Sequence, residues 1–210
     1  MEVVYALILT AWVLFVIYVA KVVYHALEPK GKKVALYFTR KFIHIFAAGL
    51  VTLMIAIFGL FTSPLIPFLL GTGLATILYI FHKTGRLLYW FQDPENMYDV
   101  NFCIAWAFVI SLGYILGNIW IGAIPALFMA IGDGVTGIVR NALFRRRTKH
   151  WIGNLSMFLV CSPIAFYAFG LIGLIAALIA SLVEHFDFMD DNVTVPLSSF
   201  VVISLATIIF

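Results

Sequence analysis

Long apolar runs separated by short polar segments make up most of this chain. The runs cover residues 3–23, 42–61, 65–81, 102–131, 155–183 and 195–210. They are continuous and do not alternate between apolar and polar positions as the strands of a membrane barrel do. About 20 consecutive apolar residues suffice for a helix to cross a bilayer. The pattern predicts an all-α, polytopic transmembrane helical bundle, with residues 1–210 forming a single integral membrane domain.

The fourth and fifth runs are long for one span and short for two. Small residues interrupt each near its middle, Gly117 and Asn118 in the fourth run and Gly170 in the fifth. We predict that each run is a hairpin of two short helices, because glycine favours a reversal of the backbone. The bundle would then have about eight spans.

The distribution of charge supports this count. With eight spans, all 13 Lys and Arg residues lie on one side of the membrane, and among the ten acids only Glu2 lies opposite. Lys and Arg are retained on the cytoplasmic side. We therefore expect an integral membrane protein whose polar face points to the cytoplasm, with both termini on the opposite side.

Composition excludes a soluble domain, since 64% of the residues are hydrophobic and only 11% are charged. The polar material is concentrated in four segments that meet on the predicted cytoplasmic face. These segments are residues 24–41, 82–101, 132–153 and 184–194. Any chemistry is expected on this face.

Gly132, Asp133 and Gly134 follow an apolar run and precede a stretch with helical spacing of apolar residues. The glycines predict a break in the helix, followed by a short interfacial helix with Asp133 near its start. One interpretation makes Asp133 a helix N-cap. The other makes it a Mg²⁺ ligand beside a phosphate bound at the helix N-terminus.

The cluster Arg145-Arg146-Arg147 is typical of a topology signal. Lys149 follows it and stands just before Gly153 and Asn154, where the next helix is predicted to start. A lysine beside a helix N-terminus is suited to hold a phosphate.

Two further segments carry polar residues at predicted helix ends. Arg40 and Lys41 are typical interface anchors, and His44 lies one helical turn beyond Arg40 as either a functional or a structural histidine. Glu184 closes one predicted helix, and Asp191 and Asn192 precede the last span. These acids indicate either a solvated loop or a divalent-metal site.

Together these motifs, R-K-x-x-H, G-D-G, K-x-W-x-G-N-L-x-M-F and E followed by D-D-N-x-T-V-P-L, resemble the family of dolichol kinases, phytol kinases and CTP-dependent diacylglycerol kinases. The matching residues, in the order of that family, are Arg40, Lys41, His44, Gly132, Asp133, Gly134, Lys149, Trp151, Gly153, Leu155, Phe158, Glu184, Asp191, Asn192, Thr194 and Pro196.

The resemblance implies a membrane kinase that transfers the γ-phosphate of a nucleoside triphosphate, typically CTP, to the hydroxyl of a polyprenol- or dolichol-type lipid. With Mg²⁺ as cofactor, the expected metal ligands are Asp133, Glu184 and Asp191, and the expected catalytic residues are Asp133, Lys149, Glu184 and His44. Residues expected to contact the nucleotide are Arg40, Lys41, Gly132, Gly134, Arg140, Gly153, Asn154 and Asn192.

Two alternatives stay open. A cytidylyltransferase that forms a CDP-lipid would use similar metal ligands and basic residues. A small transporter would use the short, glycine-interrupted hairpins, although few ionisable residues fall near the middle of a span. The partners expected are the lipid alcohol, the nucleotide and the membrane, not a nucleic acid, and a homodimer is left open.

Overall fold

The computed structural model describes residues 1–144, 148–186 and 189–209, and every element in them is helical. The cluster Arg145-Arg146-Arg147 therefore lies outside the described residues. The α-helices are α1 (Glu2–Leu27), α2 (Lys32–Ile43), α3 (Leu50–Phe58), α4 (Leu65–Thr84), α5 (Tyr98–Ile115), α6 (Ile119–Leu127), α7 (Asp133–Phe144), α8 (Trp151–His185) and α9 (Asp191–Ile209).

Two of the long helices contain a segment with π-helical hydrogen bonding. His44–Gly49 joins α2 to α3, and Phe128–Gly132 joins α6 to α7. Seven of the resulting helices, within the described residues, are long and apolar enough to cross a membrane. The all-α fold is confirmed, and helix length and composition give seven candidate spans where about eight were predicted.

The difference between seven and eight lies in α8. Its two ends are 34 residues apart, which in a straight helix is about 50 Å, yet the rings of Trp151 and His185 stack with centroids 3.8 Å apart. The chain reverses at Gly170, whose φ of 55° and ψ of −132° are not helical. Thus α8 consists of two antiparallel halves, and the hairpin predicted at Gly170 is present.

The hairpin predicted in the fourth run is also present, as α5 and α6. Gly117 between them has a φ of 75°, in the left-handed region that favours glycine. The side chain of Asn118 then caps α6 by accepting a hydrogen bond from the N–H of Trp120 at 3.0 Å.

The continuous helix from α6 to α7 forms the centre of the bundle. Of its most apolar stretch 83% is buried, compared with 17% for α1. Lipid offers little hydrophobic force between helices, so close contact must hold them together. Glycines provide that contact: Gly122 of α6 lies against the Val109 carbonyl of α5, and Gly173 lies against the Ala165 carbonyl across the α8 hairpin.

The break predicted at Gly132 is wrong. The N–H of Asp133 bonds to the carbonyl of Phe128, and the helix continues into α7. A Cβ on Gly132 would lie 2.6 Å from the sulfur of Cys161, and one on Gly134 would lie 2.7 Å from Ile45 Cγ1. These glycines serve close packing of helices. The predicted short interfacial helix is therefore the end of a long helix, and Asp133 is neither an N-cap nor at a helix N-terminus.

The two ends of the bundle differ in chemistry. Tight turns at residues 59–64, 116–118 and 170 lie at one end, where the Glu2 carboxylate accepts a hydrogen bond from the N–H of Thr62 at 2.7 Å. The polar connections that include residues 85–97 and 148–150 lie at the other end. The Lys and Arg residues that the structure describes fall on the side of these polar connections.

We predict that Gly122→Ala lowers the unfolding temperature in detergent, because the added methyl would collide with the α5 backbone at a cost of about 1–3 kcal/mol. Gly73→Ala in α4 is the matched control, since no atom lies within 4 Å of the position of its Cβ. Thermal unfolding followed by tryptophan fluorescence tests this. Equal unfolding temperatures for the two variants would contradict the packing described.

Candidate functional site

A cavity of about 830 Å³ opens among the helix ends on the polar side of the bundle. Residues from α2, α7, α8 and α9 line it, together with the connections at residues 93–96 and 148–149. Eight of the residues predicted from the sequence contribute to its wall: Arg40, Lys41, Asp133, Arg140, Lys149, Glu184, Asp191 and Asn192.

Three carboxylates from three different helices meet in this cavity. Asp133 comes from α7, Glu184 from the end of α8 and Asp191 from the start of α9. One oxygen of each lies within 4.8 Å of the others. Asp133 and Glu184 are buried, with 6% and 2% of their surfaces exposed. Burial of several negative charges this close together requires cations beside them.

Lys149 provides one of these cations. Its Nζ donates hydrogen bonds to Glu184 Oε1 at 3.1 Å, to the Glu184 carbonyl at 2.5 Å and to Asp191 Oδ2 at 2.9 Å. Burial works to lower the pKa of Lys149, but attraction to the Glu184 and Asp191 carboxylates outweighs it and raises this pKa above its ordinary value. Lys149 is therefore an ammonium at neutral pH.

Lys41 provides a second cation. Its Nζ donates to Asp133 Oδ2 at 2.5 Å, between residues 92 positions apart in the chain. His44 lies behind this pair, with Nδ1 3.8 Å from the same oxygen, which is too long for a hydrogen bond. Its ring packs against Phe102 at a centroid distance of 4.1 Å, and His44 is not among the residues that line the cavity.

Arg140 provides the third cation, and its guanidinium is committed to protein groups. It donates to Glu184 Oε1 at 2.7 Å, to Asn154 Oδ1 at 2.8 Å and to the His150 carbonyl at 2.9 Å. Asn154 in turn donates to Glu184 Oε2 at 3.2 Å and to the Ser181 carbonyl. The contacts of Arg140 and Asn154, both predicted to contact nucleotide, hold Glu184 in place.

Arg40 differs from Arg140 in its surroundings. Its guanidinium lies over the ring of Tyr98, 4.9 Å from the centroid. Among the described residues, no carboxylate is within ion-pair distance of it. Arg40 thus gives the cavity a positive charge that is not already paired.

The three glycines predicted to lie against the nucleotide have protein neighbours where a Cβ would stand. Gly132 faces Met157 and Cys161, Gly134 faces Ile45, and Gly153 faces the Arg140 guanidinium. Close packing is a sufficient reason for glycine at these positions. Their predicted role toward the nucleotide stays a prediction.

Two oxygen atoms at the start of α9 are suited to bind a cation. Asp191 Oδ1 and Asn192 Oδ1 are buried and, within the described part of the chain, have no hydrogen-bond partner. Asn192 is only 4% exposed, and both residues line the cavity. Unpaired oxygens beside a carboxylate cluster are the ligands that Mg²⁺ and Ca²⁺ prefer. The residues present therefore fit a hard divalent cation.

Several residues that line the cavity were not predicted as site residues. Tyr37 lies one helical turn before Lys41 on α2, and the Nζ of Lys41 is 5.6 Å from the centroid of the Tyr37 ring. This spacing of four residues is the signal that could have indicated Tyr37. Asp190 accepts hydrogen bonds from Asn101 at 2.9 Å and from Asn192 at 2.8 Å. Burial raises the pKa of Asp190 despite these hydrogen bonds. Residues 93–96 carry no signal beyond polarity.

Comparison with protein-family models, with curated proteins and with solved structures finds no match for this chain.

We predict that Arg140→Met destabilises the protein by about 3 kcal/mol, because it leaves Glu184 and Asn154 buried without their main partner. Arg140→Met combined with Glu184→Met should recover part of this loss, since no uncompensated charge is then left at position 184. Denaturant unfolding in detergent measures both. Arg86→Met removes an exposed arginine and is the control, with an expected change within about 0.5 kcal/mol. A double variant less stable than Arg140→Met would contradict this role.

Proposed function

We propose that this protein is a membrane lipid-alcohol kinase. It transfers the γ-phosphate of a nucleoside triphosphate, with CTP the expected donor, to the hydroxyl of a polyprenol- or dolichol-type lipid. The observation that carries the proposal is the meeting of Asp133, Glu184 and Asp191 with Lys149 and Arg40 in one cavity at the ends of the membrane helices.

The charges in this cavity suit phosphoryl transfer. That reaction needs little covalent chemistry from a protein; it needs positioning of the phosphates and neutralisation of their charge. Arg40 and Lys149 offer positive charge to a triphosphate, and a cavity of about 830 Å³ lies within the range typical of small-molecule sites. Bound to the carboxylates, Mg²⁺ would neutralise charge developing on the phosphates.

Asp191 is the carboxylate of the cluster best placed either to bind the metal or to accept the proton of the alcohol. Its Oδ1 has no hydrogen-bond partner in the described residues and is buried beside the cavity. Glu184 has both carboxylate oxygens engaged by Arg140, Lys149 and Asn154. Because His44 lies behind Asp133, outside the cavity wall, and packs against Phe102, we assign it a structural role.

The membrane position of the cavity fits an amphiphilic substrate. Helices such as α1 and α8 offer an apolar surface to lipid, for example at Leu7, Leu14 and Leu159, each more than half exposed. A lipid alcohol can leave its tail in the bilayer and bring its hydroxyl to the level of the helix ends. No soluble domain is then needed to extract the substrate.

The proposed orientation places the cavity in the cytoplasm, where nucleoside triphosphates are available. It rests on the prediction from the sequence that all 13 Lys and Arg residues lie on one side of the membrane, which is the side of the cavity for those that the structure describes. With both halves of α8 crossing the bilayer, the chain makes eight crossings, and the two termini lie on the opposite side.

We predict that the purified protein, with Mg²⁺ and CTP, phosphorylates a long-chain polyprenol and releases CDP. Asp133→Asn should reduce turnover by at least about 100-fold, because several kcal/mol of charge stabilisation depend on that carboxylate. Glu28→Gln is the control, since Glu28 is a carboxylate on the same side that does not line the cavity. The readout is labelled lipid phosphate together with nucleotide analysis.

Each alternative gives a different result in this assay. Release of pyrophosphate with formation of a CDP-lipid would replace the kinase by a cytidylyltransferase. Absence of any nucleotide product across a panel of lipid alcohols, with both CTP and ATP offered, would remove the enzymatic proposal and favour a transporter.

A further inference from the structure

The Lys149 ammonium binds the same oxygens that a metal would use. It lies 2.9 Å from Asp191 Oδ2 and 3.1 Å from Glu184 Oε1, so it bridges two of the three clustered carboxylates. The third, Asp133, is paired with Lys41. A divalent cation entering this cluster must displace the ammonium from these oxygens or accept a positive charge within a few ångströms.

Arg140 and Lys149, the two basic residues that contact Glu184, are not equally able to move. Arg140 is 4% exposed and donates three hydrogen bonds to groups of α8 and the preceding connection. The side chain of Lys149 is 22% exposed, and Lys149 lies in the connection between α7 and α8. An ammonium on a flexible four-carbon stem can exchange partners, whereas a buried planar guanidinium with three bonds is held.

A polyphosphate in the cavity would offer Lys149 a new partner. A polyphosphate carries more negative charge than a single carboxylate, and hydrogen bonds between an ammonium and a phosphate are strong. Movement of Lys149 onto the phosphate would release Asp191 Oδ2 and one bond of Glu184 Oε1. With Asp191 Oδ1 and Asn192 Oδ1 already unpartnered, the cluster would then present several free oxygens to a cation.

We infer that Lys149 is an exchangeable counterion that keeps divalent metal ions out of the carboxylate cluster until a polyphosphate anion draws its ammonium away. Metal and anion therefore bind together. The identification of that anion as a nucleoside triphosphate rests on the proposed function; the competition between Lys149 and the metal does not.

The test is Mn²⁺ binding to the purified full-length protein in detergent, followed by electron paramagnetic resonance of free Mn²⁺, without nucleotide or lipid alcohol. Lys149→Met should bind Mn²⁺ at least about tenfold more tightly than the wild type, since the competing charge is gone. Lys149→Arg retains the charge and should stay close to the wild type. Lys33→Met removes another lysine of the cavity, one without a contact to the three carboxylates, and should also leave the affinity unchanged.

A second measurement uses the wild-type protein alone, in case the Lys149→Met variant does not fold. A β,γ-methylene analogue of CTP, which resists phosphoryl transfer, should increase the Mn²⁺ retained by the protein in equilibrium dialysis, after correction for Mn²⁺ bound to free analogue. Equal Mn²⁺ affinity of the wild type and a folded Lys149→Met variant would overturn the inference. If that variant does not fold, unchanged Mn²⁺ retention with the analogue bound would overturn it.

The outcomes separate this inference from the proposed function. Tight Mn²⁺ binding by Lys149→Met in a protein that binds no triphosphate would support the competition between Lys149 and the metal and would reject the kinase. Phosphoryl transfer by a protein whose Mn²⁺ affinity does not change in Lys149→Met would support the kinase and reject the inference about Lys149.

Discussion

The ion pairs of Lys149 with Glu184 and Asp191 are the interactions on which the rest of this site depends. Three carboxylates within 4.8 Å of one another could not remain charged at the ends of membrane helices without cations between them. Lys149 joins the end of α8 to the start of α9, and Arg140 joins the end of α8 to α7. The same contacts therefore hold the helix ends together and assemble the site.

The bundle places these charges accurately because its centre is packed through small side chains. Gly49 of the π-helical segment in the second helix lies against Ile131 of the π-helical segment before Asp133, with 2.9 Å from the position of a Cβ to Ile131 Cγ1. This contact brings Lys41 and Asp133 onto facing surfaces. π-helical segments inside α-helices often mark functional sites, because the extra residue changes the direction of the following side chains. Here both segments lead to residues of the cavity.

The sequence predicted the parts of this structure that depend on local chemistry. Reversals at Gly117 and Gly170 followed from the length of the apolar runs, and the arrangement of charge indicated that Asp133, Lys149 and Asp191 share one side of the membrane. The helix break at Gly132 was predicted wrongly, because glycine serves both reversals and close packing, and only the tertiary neighbours Cys161 and Met157 distinguish the two.

The role of Arg140 could not be predicted for a related reason. Its partners are His150, Asn154 and Glu184, the last of them 44 positions away in the chain, and nothing in the local pattern indicates that they meet. The cavity wall at residues 93–96 was also missed, since a polar connection looks the same whether or not it faces a site. Convergence of side chains from distant segments needs the fold itself.

The central claim is that the carboxylate cluster holds a divalent metal in contact with the phosphates of a nucleotide. Electron–nuclear double resonance of Mn²⁺ added to the purified protein with a non-hydrolysable CTP analogue tests it most directly. The account predicts a ³¹P coupling on protein-bound Mn²⁺ in the wild type, and its loss in Asp133→Asn. A spectrum without protein-bound Mn²⁺ in the wild type, or an unchanged ³¹P coupling in Asp133→Asn, would contradict it.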